Sequence, residues 1–241
     1  MPTDGPALLK RYETLKGEAS THWKHCEEMT EFVAPSRSGI LSKRSPGQRQ
    51  NRTVFDSTTT MAAEMMAHFI TSYTVNPSQQ WGAMRGRTDD DAMAEWFEEA
   101  RDLMLADFAN SMFYAEVPEM NVDWCGFGTG CLITDEAPFA VHRTQQAWRG
   151  SHYETIMTGR FVGADGPDGL TDTLMYEKSM TADQISRRWP QATLPEKVAR
   201  CLNEGKPDER FTIVHAILPR SLADQRYAAG AKKMPYASCW I

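Results

Sequence analysis

The 241-residue chain has little cysteine, and what it has is unpatterned. Cys26, Cys125, Cys131, Cys201 and Cys239 make an odd count, with no Cys-x-x-Cys among them. That argues against a disulfide framework and suits a reducing compartment. Long apolar runs are lacking as well. The stretch "MAAEMMAHFI" comes nearest, and Glu64 and His68 interrupt it, so no bilayer-spanning segment and no membrane association are expected. The N-terminus, "MPTDGPALLK", has no basic region followed by an apolar core, and a secretory signal is not expected. Positive charge is not in excess: the net charge is −6. This excludes a wholly basic nucleic-acid binder and leaves room for a local basic stripe. No G-x-x-x-x-G-K-[ST] occurs, so the sequence carries no P-loop of its own. Internal repeats are absent.

What is present begins with helices. Hydrophobic residues make up 41% of the chain, enough to bury a core. Leu8, Tyr12, Leu15, Ala19, Trp23, Cys26, Met29 and Val33 recur at three- and four-residue steps, which predicts one helix over 6–34, stopped by Pro35. A second helix, capped by Asp56 or Ser57, is expected to run to about Tyr73 with Met61, Met65, Phe69 and Tyr73 on its apolar face. Asp89, Asp90 and Asp91 precede a third, where acids suit the positive end of the helix dipole. Its apolar face is Trp96, Ala100, Leu103, Met104 and Phe108. A further helical stretch leads to Trp124, and Pro118 within it fits either a first turn or a kink. The methionine-rich faces are read as core, with contacts between subunits as the other use of such adaptable side chains.

Beyond residue 126 the texture changes. "CLITDE", "AVHRTQ", "YETIMTGRFVG", "TLMYEKSM" and "RFTIVHAILPR" are short β-branched or aromatic runs between turn residues, and read as strands. "GADGPDG" is a turn. Thr181 with Gln184 forms a capping box before Ile185, and Pro195 opens another short helix. The expected fold class is therefore α+β, with a helical part over 1–125 and a β-rich, mostly antiparallel part over 126–241. "KKMPYASCWI" reads as a strand entering a core, which leads to the expectation that the chain is part of something longer.

Between the two textures lies "DWCGFGTGCLITDE", with Gly126, Gly128 and Gly130 between two cysteines. As a dinucleotide fingerprint it fails twice. The third glycine stands one position early, and a helix leads in where a strand should. The nearby helix end is then a C-terminus, whose partial negative charge repels phosphate. A tight helix-to-strand corner fits better, with glycines allowing positive φ and close backbone approach. Cys125 and Cys131 match no redox spacing and read as small buried hydrophobes. His22, His25 and Cys26 share a helix face without a second ligand pair, and His68, His142, His152 and His215 are scattered, so no metal site is assigned. Asp123, Asp135 and Glu136 flank the corner and could serve a metal-dependent nucleic-acid-processing enzyme, but no nucleophile elbow or base accompanies them. Neither a catalytic residue nor a cofactor is expected.

The segment 36–52, "SRSGILSKRSPGQRQNR", is punctuated by glycine and proline. It carries Arg37, Lys43, Arg44, Arg49 and Arg52 without an acid. Such a loop can touch a phosphate backbone without reading sequence. It can equally be a solvated surface loop or an arm on a neighbouring subunit. It is expected to be mobile or to lie against a partner.

Taken together, several segments resemble one family. "LLKRYETLKGEASTHWKHCEEMTEFVAPSR", "NRTVFDSTTTMAAEMMAHFITSYTVNPSQQW", "EWFEEARDLMLADFANSMFYAEV", "FGTGCLITDE", "MYEKSMTADQISRRW" and "FTIVHAILPR" are similar, in this order, to the head-to-tail connecting proteins of short-tailed phages, the portal proteins. The resemblance implies a ring-forming structural subunit, usually twelve-fold, at one capsid vertex of the virion. It also implies assembly in the host cytoplasm, with capsid, tail adaptor, terminase and double-stranded DNA in the channel as partners, and no catalysis by the ring itself. On this resemblance the chain corresponds to the N-terminal wing, the glycine corner is architectural, and the stem, clip and crown would lie beyond residue 241. A smaller head–tail adaptor built on a portal-like wing is the alternative within the same resemblance.

Overall fold

The computed structural model describes residues 5–41, 56–86, 91–136, 150–222 and 234–241. The fold is α+β, and every described strand ladder is antiparallel. Two compact units divide it. One comprises residues 22–159, the other residues 1–21 with 160–241. Among the expected strands, "AVHRTQ" lies outside the described residues.

The 22–159 unit is mainly helical. It takes the C-terminal part of α1 (Gly5–Thr30), a short 3-10 turn (Pro35–Arg37), α2 (Thr58–Thr74), α3 (Asp91–Asn110) and α4 (Phe113–Phe127). It also takes a hairpin of β1 (Cys131–Glu136) and β2 (Ser151–Ile156), in register from Cys131 opposite Ile156 to Glu136 opposite Ser151. A change of secondary-structure type is thus not a change of unit, because the hairpin packs on α4. Its core is aromatic: Phe113, Val117 and Tyr153 are buried, with Trp81, Phe108 and Tyr114 against them. The Phe108 and Phe113 rings stack at 4.3 Å, and the Trp81 indole N–H donates to the Tyr114 hydroxyl at 3.0 Å. A second cluster joins Cys26, Ala34 and Phe127, with Ile40 packed on it.

The first helix stops sooner than its periodicity suggests. It ends at Thr30, whose hydroxyl donates to the Glu27 carbonyl, and 31–33 turn before the short 3-10 piece. Pro118 lies inside α4, in its second turn rather than its first, so it takes one amide out of the helical ladder. The larger departure concerns α2 and α3. Met61, Met65, Phe69 and Tyr73 are 57%, 70%, 61% and 77% exposed. The buried residue of α2 is Ala67, and Thr71 on the same side accepts from the Asn121 amide of α4 at 2.8 Å. On α3, Trp96, Leu103 and Met104 are exposed, and Phe108 joins the core. Periodicity identified these apolar rows correctly, yet small side chains bring α2 against α4 and leave the large ones outward.

The other unit is a four-stranded sheet, ordered β3 (Phe161–Asp165), β4 (Thr171–Thr181), β5 (Arg210–Pro219) and β6 (Tyr236–Trp240). Helices α5 (Ala182–Arg188) and α6 (Glu196–Asn203) pack through Ile185 and Val198 onto Met180 and Ile213. The expected capping box is present: the Thr181 hydroxyl accepts from the Gln184 amide, and the Gln184 side chain accepts from the Thr181 N–H. The start of α1 is fixed to this sheet by polar contacts. The Tyr12 hydroxyl donates to Glu177 at 2.8 Å, and Lys16 pairs with the same carboxylate at 2.6 Å. Within the sheet, His215 is buried between Tyr176 and Ser238, hydrogen-bonded to both, and stacks on Trp240 at 3.9 Å.

Candidate site at the helix-to-strand corner

The three glycines do three different jobs. Gly128 caps α4 in the left-handed conformation, with φ 78°, and its N–H donates to the Trp124 carbonyl at 2.9 Å. That geometry suits glycine because it has no Cβ to meet the following carbonyl. Gly130 allows close approach: a Cβ there would stand 2.9 Å from the Met120 carbonyl oxygen. Gly126 is still within α4 and faces Val33. The chain then enters β1 at Cys131, so the corner presents the carbonyl end of a helix. That polarity does not favour phosphate.

Asp123, one turn before the corner, is fully buried at 0% exposure. Its Oδ2 accepts from the Thr158 amide at 3.0 Å, and its Oδ1 lies 2.7 Å from the Arg37 Nε. The Arg37 side chain is only 13% exposed, and it also donates to the Glu119 carboxylate and to the Glu119 carbonyl. Burial pushes the Asp123 carboxyl up from its ordinary range. The guanidinium and the Thr158 hydrogen bonds pull it down without cancelling that effect. Both carboxylate oxygens are therefore occupied from within the chain. Asp135 sits exposed on β1, and among the described residues no three His, Cys, Asp or Glu side chains converge as a cation site.

Arg37 also links the corner to the basic segment. Its start is held by Glu27 of α1, which accepts from three successive amides: Gly39 at 3.3 Å, Ile40 at 2.7 Å and Leu41 at 3.2 Å. Successive N–H groups of this kind form an anion-binding concavity, here filled by the protein's own carboxylate. Gly39 has φ 101°, and Ile40 sits on Gly159, where no side chain would fit: a Cβ would be 2.2 Å from the Ile40 methyl. Residues 37–41 are thus held to their own unit through Arg37, the three amides and Ile40, where the sequence led to the expectation of a segment that is mobile or lies against a partner. Lys43, Arg44, Arg49 and Arg52 lie outside the described residues. Arg37 is separated from them in role, since its charge is spent on Asp123 and Glu119. Sequence reading noted Asp123 and Arg37 but did not pair them.

The cysteines here are unreactive in character. Burial raises the Cys131 thiol to about 11 and raises Cys125 as well. Cys26 is buried with its sulfur 3.4 Å from the His22 ring, whereas His22 and His25 are exposed.

Comparison with known proteins gives the context for this architecture. A "Portal protein" of Salmonella phage epsilon15 is 26% identical over 246 residues, covering 99% of this chain and 42% of the relative. A "Probable portal protein" of Bordetella phage BPP-1 is 24% identical over 228 residues, covering 92% of this chain and 39% of the relative. The chain therefore spans about two fifths of the length of these curated relatives. The profile described as bacteriophage head to tail connecting protein matches residues 6–241, nearly end to end. The chain belongs to the bacteriophage head to tail connecting protein family.

Proposed function

We propose that this chain is the wing-forming part of a phage portal subunit. It is a structural conduit element and performs no chemistry of its own. The observation that carries the reading is the family match over 6–241, joined to two relatives named as portal proteins. The corner supports it: the buried Arg37–Asp123 pair and the glycine cap are devices for holding backbone. In this reading the subunits close a ring, twelve-fold by resemblance, at the capsid vertex of the virion. A separate terminase drives double-stranded DNA through the channel during packaging, and the DNA leaves by the same route at ejection. Capsid and tail adaptor are the other partners, and assembly occurs in the host cytoplasm. The basic side chains Lys43, Arg44, Arg49 and Arg52 serve as electrostatic contacts, to DNA or to a neighbouring subunit.

Electron microscopy of the purified gene product tests this reading. Rings with a central hole are expected. Monomers at every protein concentration and salt condition would overturn it.

A further inference from the structure

The outward rows on α2 and α3 need a cover. On α2, Met61, Met65, Phe69 and Tyr73 follow one another at four-residue steps, so they form one continuous ridge, with exposed Met66 beside it. Phe69 and Tyr73 already touch, with ring centroids 4.5 Å apart. From their fractional exposures, these five side chains leave on the order of 600 Å² open, more than the few hundred Å² of contiguous apolar surface a monomer usually shows. The α3 row of Met93, Trp96, Leu103 and Met104 adds a second apolar strip. Both helices contact α4 within the same unit.

We infer that the α2 ridge of one subunit docks on the α3 row of the next copy, forming the head-to-tail contact of the ring. This rests on the portal reading above. Two features favour a second copy as the occupant. A closed ring needs two unlike, complementary surfaces on every subunit, and α2 and α3 supply two unlike apolar ones. The open area on α2 is close to the roughly 800 Å² per partner of a standard protein interface. Methionines suit such a seam because they repack around an imperfect partner.

The test uses the assembled gene product, prepared as a mixture of isotopically labelled and unlabelled subunits. A photo-crosslinking benzophenone amino acid replaces Met65, and adducts are mapped by mass spectrometry. Adducts between labelled and unlabelled chains, landing on residues 93–104, are expected. Three outcomes overturn the inference while leaving rings intact: adducts to α2 of another copy, adducts within the same chain, or no adduct. Failure to form rings with the unmodified protein would instead sink the portal reading itself. As a second measurement, Phe69→Asp should lower the assembled fraction tenfold or more. Helical circular dichroism should be unchanged, because Phe69 is exposed in the single subunit. Undiminished assembly by Phe69→Asp also counts against the docking.

Discussion

Replacing Arg37 and replacing Asp123 should have unequal effects, and the geometry says which is worse. Arg37→Met leaves a carboxylate with 0% exposure and only the Thr158 group beside it. Removing the partner of a buried charge typically costs about 3–5 kcal/mol. For a chain of this size that lowers the melting temperature by about 6–20 °C. Asp123→Asn is milder, because Arg37 keeps both its bonds to Glu119 and the amide oxygen can still accept from Thr158. A loss of about 1 kcal/mol is expected, the scale of one altered hydrogen bond. The double variant should therefore lie near Asp123→Asn, far from the sum of the two.

The pH dependence has a definite sign. The folded-state pKa of Asp123 is raised above its ordinary 3.8. A raised acid favours folding below its unfolded value, and that contribution is lost as pH rises through the folded value. Removing Arg37 takes away one influence that lowers this pKa, so the penalty of Arg37→Met should shrink as pH falls from neutral towards about 4. Urea unfolding followed by tryptophan fluorescence, at pH 7 and pH 5, measures all of this. Equal costs for the two single variants, additivity in the double, or a penalty indifferent to pH would each refute the reasoning.

At the corner, Gly130→Ala should destabilise by about 1–3 kcal/mol, since the new methyl meets the Met120 carbonyl oxygen at 2.9 Å. Gly128→Ala should cost about 1–2 kcal/mol for its left-handed φ, with no clash, and the same urea titration compares them. Glu27→Gln should raise amide hydrogen exchange at Gly39, Ile40 and Leu41, by about tenfold for each 1.4 kcal/mol of charge-assisted bonding lost; unchanged exchange would mean that packing by Ile40 alone holds the segment. Cys131, buried and with its thiol at about 11, should react with a disulfide reagent at neutral pH only after urea is added.

Local chemistry was the readable part of this molecule. Thr181 and Gln184 are three residues apart and announce a helix start by themselves. The glycines between a helical and a β-rich texture announce a corner, because conformational freedom is a property of the residue. What joins distant stretches was hidden. Arg37 and Asp123 lie in segments read as a basic loop and as an acidic flank, and only the fold brings them to 2.7 Å. The α2 ridge shows a different limit. A period of 3.6 reveals which residues share a face, not whether that face meets its own core. The available signal was on the opposite side: Ala63, Ala67 and Thr71 repeat at four-residue steps, a row narrow enough for close helix packing.

The bracket around residues 39–41 has an evolutionary corollary. Glu27 grips main-chain amides, which nearly every amino acid provides, so it reads no side chain at Ile40 or Leu41. A substitution at Ile40 or Leu41 therefore leaves Glu27 its amide donors, whatever side chain stands there.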